Sequence, residues 1–169
     1  MVRKPQLHIE KYESPVGTLL IGASDSSLIL CLWEEVKIPI AITRNFEIVS
    51  ESSEITRKTR RQLDEYFHGN RKTFDIPISL IGTEFQKAVW RELTRISFGS
   101  IISYKEIATR IGRPEAVRAV GRAIGANPVV IVIPCHRVCS ANKTLTGYSG
   151  SLSAKATLLR HENGGDISR

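Results

Sequence analysis

The second half of the chain carries helix-start and helix-stop signals at short spacing, and they constrain its fold more than any other feature. Residues 83–86 (TEFQ) and 103–106 (SYKE) match the capping box, in which a hydroxyl and the side chain three residues on bond otherwise unpaired amides. We expect the first helix to end near Gly99 and the second at Gly112. A third helix follows at once, and this spacing is that of a helix-turn-helix unit.

The first half has the alternation and turn residues of a β-rich segment. Three hairpin-linked strands are predicted at Leu7 to Tyr12, Thr18 to Ala23 and Leu28 to Trp33. A polar helix is predicted from Glu54 to Phe67, with Leu63 and Phe67 on its inner face and Gly69 as its stop. The sequence therefore predicts an α+β protein with an N-terminal sheet-and-helix domain over 1–78 and a helical C-terminal domain over 79–169.

The charge of the chain lies in its second half. Residues 1–80 contain eleven Lys or Arg and eleven Asp or Glu, whereas residues 81–169 contain thirteen against six, so the latter carry the whole net charge of +7. A basic half beside a neutral one favours a nucleic-acid surface on the basic half. No apolar stretch is long enough to span a bilayer and the first residues lack a signal peptide, so we expect a cytoplasmic protein.

The third helix, expected from Pro114 to Gly125, has two chemically different faces. Its inner face is apolar and consists of Val117, Val120 and Ile124. Its outer face carries Arg118, Ala119 and Arg122 among small residues that offer little to base edges. Small side chains let a backbone approach the sugar-phosphate walls, which favours shape-based, sequence-tolerant binding in the minor groove. A small-residue helix packed on a partner helix, with solvated arginines, explains the same pattern.

The run from Val129 to Ile133 is solidly apolar and predicts a buried strand, after which Cys135 and His136 stand side by side. A thiol reacts as the thiolate, and a neighbouring base or positive charge lowers its pKa from about 8.5 toward neutrality. Adjacent strand residues point to opposite faces, so the imidazole reaches the sulfur only if Pro134 begins a turn or helix, or if a water bridges the gap. An incidental thiol capping a core strand is the alternative.

The chain has only three cysteines, which is too few for a disulfide framework and fits a reducing compartment. Cys139 lies four residues after Cys135, and with His136 and His161 it raises a zinc hypothesis. The two-residue spacing of paired zinc cysteines is absent. We therefore expect no metal, and no cofactor of any other kind.

Six segments of the chain agree in order and spacing with one protein family. They are 82–86 (GTEFQ), 102–104 (ISY), 118–121 (RAVG), 127–128 (NP), 133–138 (IPCHRV) and 147–150 (GYSG). Together they resemble the O6-alkylguanine-DNA alkyltransferases, also called methylated-DNA–protein-cysteine methyltransferases. The resemblance is close over about 82–163 and looser before it. It implies a ribonuclease H-like N-terminal domain and a winged helix-turn-helix C-terminal domain that bears the reactive cysteine.

The activity that the resemblance implies is direct reversal of DNA damage. An alkyl group passes once and irreversibly from O6 of a flipped-out guanine to the protein's own cysteine. Cys135 stands at the acceptor position, His136 at that of the base that takes the thiol proton through a water, and Glu162 at that of the carboxylate that orients the imidazole. This is an activated nucleophile with a base and an orienting group.

The same resemblance assigns the remaining site residues. Asn127 matches the hinge residue, Arg118 the finger that fills the place of the extruded base, and Tyr104 the tyrosine that crowds the 3′ phosphate and gives a proton to guanine N3. Ala119 and Arg122 share the DNA-binding helix. The pocket positions are Val138, Tyr148, Ser149, Gly150 and Lys155.

The implied partner is double-stranded DNA that contains O6-alkylguanine, bound through the minor groove and largely without sequence preference. We expect a monomer, with cooperative assembly on DNA and activity on O4-alkylthymine left open. No membrane partner is expected. Ser151 departs from the family, because many relatives have a second glycine there, and the structural zinc of some relatives has no counterpart in the first half.

Two other functions fit parts of the pattern. One is a binding-only relative that flips alkylated guanine without repairing it, but such proteins lack the acceptor cysteine and this chain has Cys135. The other is a helix-turn-helix regulator with an incidental cysteine, which predicts one preferred operator sequence. The bare third helix predicts weak sequence dependence and strong salt dependence instead.

Overall fold

The computed structural model describes residues 2–140 and 150–164. The chain forms two compact units, Met1–Ile81 and Gly82–Arg169. Residues 77–79 belong to the first unit, because the carbonyl of Pro77 accepts a bond from the amide of Leu28 and the amide of Ser79 donates to the carbonyl of Leu28. Among the described residues, no helix has the length and apolar content needed to cross a bilayer.

The first unit is built on a four-stranded sheet. Its strands are β1 (Gln6–Ser14), β2 (Gly17–Ala23), β3 (Leu28–Trp33) and β4 (Glu47–Val49), in the order β3-β2-β1-β4. The first three pair antiparallel, which confirms the predicted hairpins. The fourth strand pairs parallel to β1 and was missed, because three residues give too short a run for alternation to be visible.

Two helices complete this unit. Helix α1 (Ile40–Asn45) places Ile42 in a buried cluster with apolar side chains of β1 and β3. Helix α2 (Glu54–Phe67) has the predicted bounds, because Ser53 and Thr56 form a reciprocal capping box and Gly69 at φ +79° ends it. The predicted inner residues of α2, Leu63 and Phe67, are both buried.

The second unit contains four helices and a two-stranded parallel sheet in its described part. The helices are α3 (Glu84–Leu93), α4 (Tyr104–Arg110), α5 (Val117–Gly125) and α6 (Leu152–Glu162). The strands β5 (Ile102–Ser103) and β6 (Val138–Cys139) pair in parallel, with Ile102 opposite Val138. The α+β class and the helical C-terminal half are confirmed.

Local capping explains which helix bounds were predicted well. Thr83 makes the full reciprocal capping box with Gln86. Ser103 makes only half of one, because its hydroxyl accepts from the Glu106 amide while the Glu106 carboxylate pairs with Arg110 instead.

Two predicted helix bounds were wrong. Helix α3 ends at Leu93 and not near Gly99. The amides of Arg95 and Ile96 donate to carbonyls three residues back, in place of the four-residue spacing of an α-helix. Helix α5 begins at Val117 and not at Pro114. Pro114 lies in a turn closed by a bond from the Ala116 amide to the Arg113 carbonyl, so its fixed φ serves a turn that precedes the helix.

One buried hydrogen bond joins helices α3 and α5. The indole Nε1 of Trp90 donates to the carbonyl of Ala123 at 2.8 Å, and Trp90 is 2% exposed. The indole also fills the space beside Gly82, where an added Cβ would lie 2.7 Å from the ring. Trp90 therefore fixes the C-terminal half of α5 against α3.

We expect Trp90→Phe to lower the free energy of unfolding by about 1–3 kcal/mol, because it removes a buried hydrogen bond and leaves part of the indole volume empty. Urea denaturation followed by circular dichroism measures this. A loss below about 0.5 kcal/mol would contradict the role assigned to Trp90.

Candidate active site

The segment Val129–Ile133 is a buried compact turn, and the strand predicted there is wrong. The amide of Val132 donates to the carbonyl of Val130 at 2.8 Å, and the amide of Ile133 donates to that of Val129 at 2.9 Å. Ile131 has φ 70° and is the single non-glycine residue with positive φ in the described part of the chain. The apolar run correctly predicted that the segment is buried. Its β-branched residues favour a strand only where no other contact holds the backbone in a turn.

The side chain of Asn127 holds the two ends of this turn together. Its Nδ2 donates to the carbonyl of Ile133 at 2.8 Å, and its Oδ1 accepts from the amide of Val129 at 2.9 Å. The Asn127 side chain is buried and directly follows helix α5. It therefore ties the end of that helix to the backbone that leads to Cys135.

Pro134 begins the turn that carries the cysteine. Its φ of −82° and ψ of 65° are those of an inverse γ-turn, which the amide of Cys135 closes by donating to the carbonyl of Ile133 at 2.8 Å. Cys135–Arg137 then forms one turn of 3₁₀ helix. Cys135 and His136 thus do not occupy opposite faces of a strand, and the predicted alternative of a helix start at Pro134 is confirmed.

His136 and Glu162 form a buried pair. The imidazole Nε2 lies 2.7 Å from Oε1 of Glu162, and both side chains are fully buried. Because an ionised carboxylate only accepts hydrogen bonds, Nε2 carries the proton and Nδ1 keeps its lone pair. The Nδ1 atom is buried and bonds to none of the described residues. The imidazole therefore presents an unused proton acceptor at the residue next to Cys135.

Arg137 completes this pair and was not singled out from the sequence. Its Nε donates to Oε2 of Glu162 and its Nη2 to Oε1, each at 2.8 Å, which makes a two-bond fork on the carboxylate. The sequence signal was present, since Arg137 belongs to the segment 133–138. Nothing local pairs it with a carboxylate 25 residues away, so its role follows only from the fold.

The charges of the pair follow from this geometry. Burial lowers the pKa of His136 below its ordinary 6.5, although Glu162 acts in the opposite direction. Burial alone would raise the pKa of Glu162, but hydrogen bonds from His136 and Arg137 outweigh it and hold that pKa well below its usual range. At neutral pH the imidazole is therefore neutral and the carboxylate ionised.

The Cys135 thiol is protonated in this environment. Cys135 is 2% exposed, and burial raises its pKa to about 11, although the Asn127 side chain and the Lys155 ammonium act to lower it. The neighbouring imidazole is neutral and adds no positive charge that would lower the pKa of the thiol toward neutrality. Removal of the thiol proton therefore has to accompany the reaction.

Lys155 lies in the same cluster. It is 1% exposed and its Nζ donates to the carbonyl of Val138 at 2.6 Å. Burial lowers its pKa, while Cys139 and Cys135 act to raise it. The structure thus brings together six of the predicted site residues in one buried cluster: Cys135, His136, Glu162, Asn127, Val138 and Lys155.

The other predicted residues lie on the helix-turn-helix. Arg118 and Arg122 are exposed on α5, and Ala119 is half-buried. Val120 and Ile124 are buried as predicted, whereas Val117 is only half-buried, which corrects the expected inner face. Tyr104 opens α4, and its ring lies 3.8 Å from where a Cβ on Gly121 would stand, so the ring packs on the small-residue face of α5.

The pocket loop is only partly described. Tyr148 and Ser149 lie outside the described residues, and Gly150 is half-buried. Ser151 has an ordinary φ of −73°, and its hydroxyl accepts from the amide of Ala154 as the cap of α6. A second glycine is therefore not required at that position, and the serine stabilises the helix that carries Lys155 and Glu162. Within the described residues, no group of three or more metal-binding side chains is found.

We expect glycine to be more stable than alanine at position 131, by about 1 kcal/mol, because a left-handed backbone favours glycine. Val130 is the matched control, since it is equally buried and has no positive φ. There alanine should be more stable than glycine by about 0.5–1 kcal/mol. Urea denaturation of Ile131→Gly, Ile131→Ala, Val130→Gly and Val130→Ala measures both differences, and the same order at both sites would contradict the strained turn.

Comparison with known proteins relates both halves of the chain to one family. Residues 84–164 match the family model described as 6-O-methylguanine DNA methyltransferase, DNA binding domain, and residues 7–80 match the ribonuclease-like domain of the same family. A methylated-DNA–protein-cysteine methyltransferase of Methanosarcina acetivorans is 42% identical, over 89% of this chain and 95% of its own length. The constitutive enzyme of that name from Bacillus subtilis is 40% identical, over 89% and 92%.

Solved structures give the same relationship. The crystal structure of Mycobacterium tuberculosis OGT in complex with DNA has a TM-score of 0.84 at 35% identity, and covers 95% of this chain and 96% of that one. The O6-methylguanine methyltransferase of the same organism has a TM-score of 0.83 at 37% identity, over 94% of each chain. On both sequence and structure, the chain belongs to the methylated-DNA–protein-cysteine methyltransferase family.

Proposed function

We propose that the alkyl group which this DNA-repair enzyme removes from O6 of guanine ends on Cys135. The observation that carries the proposal is the His136–Glu162 pair, which leaves the Nδ1 lone pair unused beside the buried thiol. The described part of the chain contains two further cysteines, Cys31 and Cys139. Neither is adjacent to a histidine in the sequence.

The proton has to move during the transfer. With a thiol pKa of about 11, about one molecule in ten thousand carries the thiolate at pH 7. A neutral imidazole accepts the proton as the sulfur attacks, and the carboxylate of Glu162 stabilises the imidazolium that forms. Asn127 and Lys155 favour the developing negative charge on sulfur.

The bond changes balance without a cofactor. Sulfur forms a bond to the alkyl carbon, the bond from that carbon to O6 breaks, and guanine leaves with the electron pair. A proton given to the ring improves guanine as a leaving group, and we assign this role to Tyr104, whose ring lies against Gly121 of α5. A thioether has no ready reversal, so each molecule transfers one alkyl group.

Burial of Cys135 requires that the damaged nucleotide leaves the duplex. Guanine O6 faces the major groove but is locked in a stacked pair, so a thiol that is 2% exposed cannot reach the alkyl carbon in place. Extrusion costs a few kcal/mol, which a wedge in the stack and contacts to phosphate offset. We assign the wedge to Arg118, which is exposed on α5.

The partner proposed for this surface is double-stranded DNA that contains O6-alkylguanine. Arg118, Ala119 and Arg122 lie on one helix with small neighbours, which supports backbone contact in the minor groove with little sequence preference. Tyr148, Ser149 and Gly150, with Val138 and Lys155, remain the proposed pocket residues. We propose that the protein acts in the compartment that holds its DNA, which is the cytoplasm in a prokaryote and the nucleus in a eukaryote.

Incubation with duplex DNA containing O6-methylguanine should add the mass of one methyl group to the intact protein. Peptide mapping should locate it on Cys135, because the acceptor for the thiol proton is the adjacent imidazole. Cys135→Ala should gain no mass. Cys139→Ala is the matched control, since Cys139 is equally buried, and it should still gain one methyl group. A methyl group on Cys139 or Cys31 would contradict the assignment.

Arg118→Ala should slow repair of duplex DNA about tenfold or more, because each 1.36 kcal/mol of lost support for extrusion is a factor of ten. Reaction with free O6-benzylguanine needs no extrusion and should stay within about twofold of the unmodified protein. Arg95→Ala is the control, since Arg95 is an exposed arginine of the same unit that pairs only with Glu92 in the described part. Equal slowing of both reactions would remove Arg118 from the wedge role.

A further inference from the structure

The Glu162 carboxylate is shared between a base and a permanent cation. Its Oε1 accepts from Nε2 of His136 at 2.7 Å and from Nη2 of Arg137 at 2.8 Å. Its Oε2 accepts from Nε of Arg137 at 2.8 Å and more weakly from the amide of Gly99 at 3.4 Å. A guanidinium does not lose its proton at any working pH, so the carboxylate is always paired with one full positive charge.

Arg137 is held as firmly as the carboxylate. Its third nitrogen, Nη1, donates to the carbonyl of Ile96 at 2.6 Å, and its Cζ lies 5.8 Å from the centre of the Phe98 ring. The side chain is only 7% exposed. Water therefore does little to screen the pair, and all three guanidinium nitrogens donate hydrogen bonds that hold the group against Glu162.

The protonation state of the His136 imidazole depends on whether another group neutralises the charge of Glu162. A buried carboxylate without a partner favours whatever nearby group can become a cation, and His136 bonds the same oxygen of Glu162 as Arg137 does. If that imidazole were charged, its Nδ1 would carry a proton and could not take one from the thiol. We propose that Arg137 is a positioning residue of the alkyl transfer, which neutralises Glu162 and so keeps His136 an unprotonated base.

The charged groups near His136 act on its protonation in opposite directions. Glu162 favours the charged imidazole, whereas Arg137 and Lys155 disfavour it and burial disfavours it most. The Cys135 thiol is uncharged at neutral pH and leaves the balance unchanged. Arg137 is the one of these groups that bonds the carboxylate itself, so its removal changes the effect of Glu162 on the imidazole most directly.

The inference rests on the proposed function only for its kinetic consequence. The protonation state of His136 is measurable without any substrate, by NMR titration of protein labelled in its four histidines, with His136→Gln to assign the signal. The rate of reaction with O6-benzylguanine across the same pH range then reports whether the imidazole state governs transfer. Failure of the proposed function would abolish the second result and leave the first intact.

Wild-type His136 should remain neutral at pH 7 and titrate below 6.5, the ordinary value for histidine. In Arg137→Met the midpoint should rise by about one pH unit or more, because the guanidinium no longer offsets the negative charge of Glu162 beside the imidazole. Below its own midpoint the transfer rate of Arg137→Met should fall by about tenfold per pH unit, and it should recover at higher pH. Loss of a merely structural group would lower the rate equally at every pH.

Three variants make the test specific to charge. Arg137→Lys keeps the positive charge without the fork and should give a midpoint between those of wild type and Arg137→Met. The double variant Arg137→Met with Glu162→Gln removes both charges and should return the midpoint to the wild-type value or below. Arg95→Met, which removes an exposed arginine paired with Glu92, should change neither the midpoint nor the rate.

A midpoint that stays unchanged or falls in folded Arg137→Met would overturn the proposal, as would a double variant that titrates as high as Arg137→Met. If Arg137→Met does not fold, Arg137→Lys and the double variant decide by the same comparison with wild type. If no variant folds, the wild-type titration decides. An imidazole already protonated at pH 7 refutes the proposal, and a neutral one supports it.

Discussion

The site depends on one buried negative charge. Glu162 is fully inside the protein, where an isolated carboxylate would be very unfavourable, and hydrogen bonds from His136, Arg137 and Gly99 help it to stay ionised. Because Glu162 is the last residue of α6 and His136 and Arg137 lie in the 3₁₀ turn, the carboxylate also joins the two segments that frame the thiol. Glu162 thus fixes the tautomer of the His136 imidazole, and it also holds helix α6 against the 3₁₀ turn.

A few shared hydrogen bonds also hold the backbone that carries Cys135. The carbonyl of Ile133 accepts from both the Asn127 side chain and the Cys135 amide, so hinge and nucleophile share one acceptor. The left-handed residue Ile131 lies inside the loop that Asn127 closes, and such conformations persist only where surrounding contacts determine them. Helix α5 is therefore connected to Cys135 through Asn127 and a compact turn that side-chain and backbone hydrogen bonds hold in place.

Signals that act within a few residues allowed most of the fold to be predicted. Ser53 and Thr83 set helix starts through their own capping bonds, and the alternating runs predicted three of the four strands in the sheet of the first unit. The strand predicted at Val129–Ile133 was wrong, because apolar composition reports burial and a single asparagine side chain decided the conformation. Arg137 could not be found from the sequence, since its partner lies 25 residues away and their meeting is a property of the tertiary structure.

The close packing around Cys135 gives the reaction a physical cost. Because Cys135 is 2% exposed, a carbon bonded to its sulfur has to be accommodated inside the protein, where overpacking costs about 1–3 kcal/mol. That amount is a sizeable part of the 5–15 kcal/mol that typically holds a domain folded. An alkylated molecule that carries this cost unfolds more often than an unreacted one, by about a factor of ten for each 1.4 kcal/mol lost.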